Sequence, residues 1–80
     1  MEKYSVCTYK GDDGFDSAYF DTFEEAKAEA EKRSENERFT ASEIKKYKPY
    51  VLISLEECDE DGKPIEYIDS IEAVFITKAF

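Results

Sequence analysis

The three glycines of this chain constrain its fold most, because they fall in two clusters that are typical of turns between strands. Gly11 and Gly14 lie in KGDDGF, and Gly62 lies in DEDGKP, where Pro64 follows closely. Glycine and proline interrupt regular structure and favour tight turns. The flanking runs, KYSVCTYK with FDSAYF and PYVLISLEE with IEYIDSIEAVFITK, are rich in aromatic and β-branched residues. The sequence therefore predicts two antiparallel hairpins.

A helix is predicted between the hairpins, over residues 22–36. Thr22 and Glu25 have the spacing of a capping box, in which the hydroxyl accepts from a free helix amide and the Glu returns to the cap's own amide. The inward stripe, Phe23, Ala26 and Ala30, is mostly methyl-sized, which lets a helix lie close to a sheet. The strands must then supply the large core side chains.

Two segments admit two interpretations each. Residues 40–48 begin with TASE, again a capping-box spacing, and form either a short helical turn or a loop. Residues 70–80 form either a strand or a capped helix, and their β-branched side chains favour the strand. The prediction is a single α+β domain, residues 1–80: a small antiparallel sheet of two hairpins, in the order β-β-α-β-β, packed on one face by a single helix.

The acidic stretch EECDEDGKPIE has some features of a calcium-binding loop. With Gly62 at the sixth position of an EF-hand loop, the first ligand would be Glu57 and the twelfth would be Ile68. The twelfth position needs a bidentate Glu, and Pro64 falls at the eighth. The stretch therefore predicts a turn, with no metal and no cofactor.

The apolar pattern predicts the register of this second hairpin. A three-residue loop, residues 60–62, places its Gly at the left-handed position and sets Leu55 opposite Tyr67. The apolar residues of both strands then share a face. Asp69 is the one misfit, since it comes opposite Ile53, and a strand bend or bulge near Asp69 would resolve it.

The same register predicts an acidic face on the hairpin. Glu56 comes opposite Glu66, a like-charge pair that is tolerable only at a solvated surface or against a basic partner. That face and the adjacent turn form the predicted partner-binding surface. Its residues are Tyr50, Glu56, Asp59, Glu60, Asp61, Glu66, Ile68 and Glu72.

The chain contains no histidine, which argues against most catalytic sites. Cysteine nucleophiles, serine hydrolases and many zinc sites commonly depend on a histidine. Cys7 and Cys58 form no CxxC pair, so we expect two reduced thiols rather than a disulfide. The sequence predicts a protein that is not an enzyme.

Negative charge is concentrated in two blocks, within a formal net charge of -9. Residues 11–25 carry six acids and no base, and residues 56–72 carry eight acids and one lysine. Direct nucleic-acid binding needs a basic footprint, and KKYK at residues 45–48 is a small one. The expected partner is therefore a protein with a basic surface, not nucleic acid.

The location expected from the sequence is the cytoplasm. The apolar run at residues 51–53 is far too short to span a bilayer. The first ten residues show neither the apolar stretch nor the small-residue cleavage site of a signal peptide. No membrane association is predicted.

Two functions from different classes are compatible with these features. The first is a small acidic protein-binding module, an inhibitor that docks on the basic surface of a nucleic-acid-binding enzyme. In its sharpest form this is a DNA mimic, and the composition is similar to that of acidic proteins that phages use against restriction or CRISPR systems. The alternative is a self-assembling homodimeric structural domain whose acidity serves solubility. The oligomeric state, monomer or homodimer, separates the two.

Overall fold

The computed structural model describes residues 1–79 and contains four strands and two helices in this range. Residue 80, the end of one predicted segment, lies outside the described residues. The strands form one antiparallel sheet in the order β2-β1-β3-β4, so that β2 and β4 are its edges. The α+β prediction is confirmed. The elements are β1 (Glu2–Lys10), β2 (Asp13–Phe20), α1 (Phe23–Asn36), α2 (Ala41–Tyr47), β3 (Tyr50–Cys58) and β4 (Pro64–Phe75).

Helix α1 begins where the sequence predicts, but its cap differs in detail. The Thr22 hydroxyl oxygen accepts from the Glu25 backbone amide at 3.2 Å, as expected for an N-cap. The Glu25 carboxylate, however, accepts a hydrogen bond from the Thr22 hydroxyl at 2.9 Å. The N-cap at Thr22 therefore forms as predicted, but the Glu25 carboxylate binds the Thr22 hydroxyl rather than the Thr22 backbone amide.

The segment at residues 40–48, for which the sequence left a helical turn or a loop open, forms helix α2. The prediction of a single helix is therefore wrong. Its capping box is complete: the Glu43 amide donates to the Thr40 hydroxyl oxygen at 3.1 Å, and the Thr40 amide donates to the Glu43 carboxylate at 3.0 Å. Lys48 ends the helix in the left-handed conformation, with φ of 48°. Strong local caps at both ends explain why seven residues suffice.

The core lies between α1 and one face of the sheet. Ala26 and Ala30 of the helix are fully buried against central strand residues that include Val6 and Ile53. The small helix residues allow this close approach, as the sequence indicates. The remaining buried core residues are Phe39, Val51 and Ile76, and Phe15, Phe20 and Val74 pack against them.

Strand β4 departs most from the predicted register. The turn is correct: the Asp59 amide donates to the Lys63 carbonyl at 2.9 Å, and Gly62 has a φ of 82°. Beyond the turn, the nine residues of β3 face the twelve residues of β4, so β4 carries an extra residue at three places. These bulge residues are Ile65, Ile68 and Ile71. The irregularity expected near Asp69 is present, as bulges at Ile68 and Ile71, and the third bulge, at Ile65, lies closer to the turn.

The bulges remove Asp69 from the centre of the sheet. Asp69 lies opposite Leu55 instead of opposite Ile53, and Glu72 takes the position opposite Ile53. There the Glu72 carboxylate forms an ion pair with Lys27 of α1. A partly buried carboxylate is stabilised by such a partner. A carboxylate thus still lies opposite Ile53, now that of Glu72, and the lysine of the helix compensates its charge.

Candidate functional site

The large apolar side chains that are exposed in the described part of the chain are concentrated on β4. Ile65 is 66% exposed, and the other β4 members are between 42% and 58% exposed. Met1, outside β4, is also exposed. We call the β4 set the β4 patch. It consists of Ile65, Tyr67, Ile68, Ile71 and Phe75.

The patch lies where α1 does not reach. A helix of 14 residues is about 21 Å long, whereas the longest dimension of the molecule is 41 Å. Val74 and Glu72, near one end of β4, contact the core or the helix, whereas every residue from 64 to 71 is exposed. Exposed large apolar side chains that are concentrated on one strand are a common mark of an interaction site.

Acids surround the patch, and most of them lack a cationic partner. Within the described residues, Glu57 pairs with the Met1 ammonium at 2.9 Å and Glu72 pairs with Lys27. The other six acids of residues 56–72 form no ion pair in the described residues. These six are Glu56, Asp59, Glu60, Asp61, Glu66 and Asp69.

The structure divides the predicted partner-binding residues between two faces of the sheet. Glu56 lies opposite Tyr67, not opposite Glu66 as predicted, because of the bulges. Glu66 lies opposite Glu57, and Glu72 points to the helix side. The predicted single acidic face with Glu56, Glu66 and Glu72 is therefore wrong as geometry.

The turn and the remaining predicted residues keep their exposed positions. Asp59 binds the turn backbone, since its carboxylate accepts from the Asp61 and Lys63 amides at 2.9 and 2.8 Å. Glu60 and Asp61 are exposed at the tip. Ile68 belongs to the β4 patch. The tip therefore continues the acidic rim of the patch.

Tyr50 belongs to a row of aromatic rings on the sheet face opposite the helices. It stacks on Tyr9, with ring centroids 5.3 Å apart and an angle of 17° between the ring planes. The ring centroids of Tyr50 and Phe75 lie 5.7 Å apart. Cross-strand pairing puts all three side chains at one level of β1, β3 and β4. We call Tyr9, Tyr50 and Phe75 the aromatic row.

The phenols on this face lie in a negative environment. Burial raises the pKa of Tyr9 above its ordinary value of 10.0, and Cys7, Tyr50 and Glu56 add to the rise. Burial also raises the pKa of Tyr19, with Glu56 the next cause. Both phenols therefore lose a proton less readily than a free tyrosine, chiefly because they are partly buried, and Glu56 contributes to both pKa rises.

Sequence reasoning missed Ile65, Tyr67, Ile71 and Phe75, which are most of the β4 patch. It placed one bend or bulge near Asp69 and otherwise assumed that β4 alternates between two faces. The isoleucines at positions 65, 68 and 71 recur every third residue, which does not fit the period of two of a flat strand. That spacing, beside a regular strand such as β3, was the available signal for repeated bulges.

The described residues contain no arrangement that indicates a metal site or a membrane span. No group of three or more Cys, Asp or Glu side chains among residues 1–79 is arranged to hold a metal ion. Neither helix is long and apolar enough to cross a membrane. Cys58 is buried and Cys7 is half-buried, and both are free thiols.

Comparison with known proteins gave no match. The chain matches no protein-family model, and searches of curated proteins and of solved structures likewise found no similar protein.

Proposed function

We propose that this chain is a small, non-catalytic protein-binding module that docks through the β4 patch on a basic surface of a partner protein. The observation that carries the proposal is the combination of exposed apolar side chains on β4 with six acids that lack cationic partners in the described residues. Apolar contacts at the centre of an interface supply affinity, and a charged rim supplies orientation and association rate.

The three bulges favour docking by side chains over addition of a strand. An edge strand offers unpaired amides and carbonyls to another strand, and bulges interrupt that regular array. Between Pro64 and Ile71 the pairing of β4 changes register three times. A partner that covers this segment would therefore use pockets for the isoleucine and tyrosine side chains.

The sharpest form of the proposal is an inhibitor that occupies a nucleic-acid-binding surface. Carboxylates that lack cationic partners substitute for phosphates against lysine and arginine side chains. The acids at positions 59, 60, 61, 66 and 69 follow the hairpin from its tip along β4. Such a module would compete with nucleic acid for its partner.

The alternative is a homodimer formed through β4. Its support is the regular segment at residues 72–75, which pairs with β3 without interruption and belongs to an edge strand. Against it, a dimer would bring together two chains that each carry a net charge of -9, with the acidic hairpins adjacent. Charge and bulges both favour a different, basic partner.

The test is the affinity of a partner isolated from the native host and then purified. Glu56→Gln, Glu66→Gln and Asp69→Asn together should weaken binding about tenfold at low salt, mainly through the association rate. The matched control removes three exposed acids from α1: Glu24→Gln, Glu31→Gln and Glu35→Gln. It should change affinity much less.

A second variant separates apolar contact from charge. Ile65→Ser with Ile68→Ser should raise the dissociation rate, as loss of buried contacts does. If the hairpin and helix charge variants weaken the complex equally, only the net charge matters and the β4 site is wrong. A stable dimer in which the isoleucine variant is monomeric would establish the alternative instead.

A further inference from the structure

We infer that the aromatic row on the open face of the sheet binds an arginine side chain of the basic partner by stacking. This inference rests on the proposed function, since it specifies what a basic partner presents to that face. It extends the site from the β4 patch onto the open face of the sheet, because Phe75 belongs to both the patch and the row.

The geometry of the row suits a flat cation. Tyr9 and Tyr50 are nearly parallel, and Phe75 continues the row at a tilt of 50°. Phe75 is 58% exposed, so one ring of the row is open to solvent. An aromatic face attracts cations, and a planar guanidinium also stacks on it, whereas an ammonium is a compact point charge.

Another aromatic side chain of the molecule already holds cations in this way. The ammonium groups of Lys10 and Lys46 lie 5.0 and 5.1 Å from the centroid of the Tyr47 ring. The exposed Phe75 ring of the row offers the same kind of contact to a cation of a partner.

Charge on the same face supports a basic occupant. Glu56 lies six residues along β3 from Tyr50, which is about 20 Å in an extended strand. It points to the same face as Tyr50, because even positions of β3 share one side. A basic segment of about six extended residues would thus place one arginine on the row and a second cation at Glu56.

The test uses two peptides that differ only in the type of cation, nine arginines and nine lysines. The wild-type chain should bind the arginine peptide about three- to fivefold more tightly, because the row adds a stacking contact. NMR shift changes should be largest at Tyr50 and Phe75. Phe75→Leu should bring the ratio of the two affinities close to one.

Tyr47→Leu is the control. Tyr47 lies on α2, outside the row and the β4 patch, and the ammonium groups of Lys10 and Lys46 already lie over its ring. This variant should keep the arginine preference. Tyr50→Leu removes a second ring of the row, so that the test does not depend on one variant in one strand. The amide region of each variant's NMR spectrum shows whether the fold is retained.

The outcomes distinguish this inference from the proposed function. Equal affinity of the two peptides for the wild-type chain overturns the aromatic site, while binding that weakens with salt and with the hairpin charge variant still supports a basic partner. Loss of the preference in Tyr47→Leu but not in Phe75→Leu would move the site and overturn the inference as stated. Absence of binding by either peptide also overturns it.

Discussion

The two edge strands of the sheet treat their apolar side chains in opposite ways. Strand β2 turns Phe15 and Phe20 onto the core beneath α1 and exposes acids and small residues. Strand β4 exposes isoleucine and tyrosine for most of its length. Position at an edge therefore does not by itself require an apolar surface, and the β4 patch is a specific property of that strand.

Bulges occur at both edges, but they have different local causes. In β2, Asp16 and Ser17 together face Cys7, and Asp16 has a φ of 56°, in the left-handed region. Among the described residues of β4, none has a positive φ. The β2 bulge is thus a local conformation of one residue, whereas the β4 bulges follow from how β4 pairs with β3.

The largest expected difference between the edges is the effect of truncating one apolar side chain on each. Phe20→Ala should lower the free energy of unfolding by about 2 kcal/mol, since Phe20 packs against the core but is not fully buried. Ile65→Ala should change it by less than about 0.5 kcal/mol. Urea unfolding of both variants measures this difference. A cost of 2 kcal/mol for Ile65→Ala would show that the patch is packed in solution.

A smaller effect is expected at the β2 bulge. Asp16→Gly should raise the free energy of unfolding by about 0.5–1 kcal/mol, because glycine adopts the left-handed region without a clash of its Cβ. Asp12→Gly in the neighbouring turn is the control, since Asp12 has no positive φ. It should be neutral or slightly destabilising. Equal gains from both changes would show that removal of charge, rather than relief of the backbone, is the cause.

The smallest effect concerns pH and the β1–β2 end of the molecule. The Lys10 ammonium, 2.7 Å away, and the Thr40 amide lower the pKa of Glu43 from 4.5 to about 2. Because the folded-state pKa is depressed, the stability that Glu43 contributes is present above about pH 4.5 and is lost as the pH falls towards 2.

An NMR titration of the Glu43 carboxyl checks this expectation. Its midpoint should lie near 2 in the wild-type chain and move up towards 4.5 in Lys10→Met. A wild-type midpoint near 4.5 would mean that the link from the first hairpin to α2 does not form in solution. The β2 and β4 edges of the sheet would then differ less than the structure indicates.

Local features of the fold could be predicted from the sequence because they depend on residues within four positions of one another. Gly62 determines its turn through a left-handed conformation, and Thr22 and Thr40 begin their helices with side chains that reach the next turn. The acidity of the second hairpin could also be predicted from the sequence. These features identified the hairpin as a candidate interaction site.

The tertiary structure alone decided which face each residue of β4 occupies. Every bulge shifts the pairing by one residue, so Glu56, Glu66 and Glu72 separate even though the turn between the strands is as predicted. The position of Glu72 depends on Lys27, 45 residues away along the chain. Register is the sum of many weak contacts across strands and with the helix, and no local sequence pattern contains that sum.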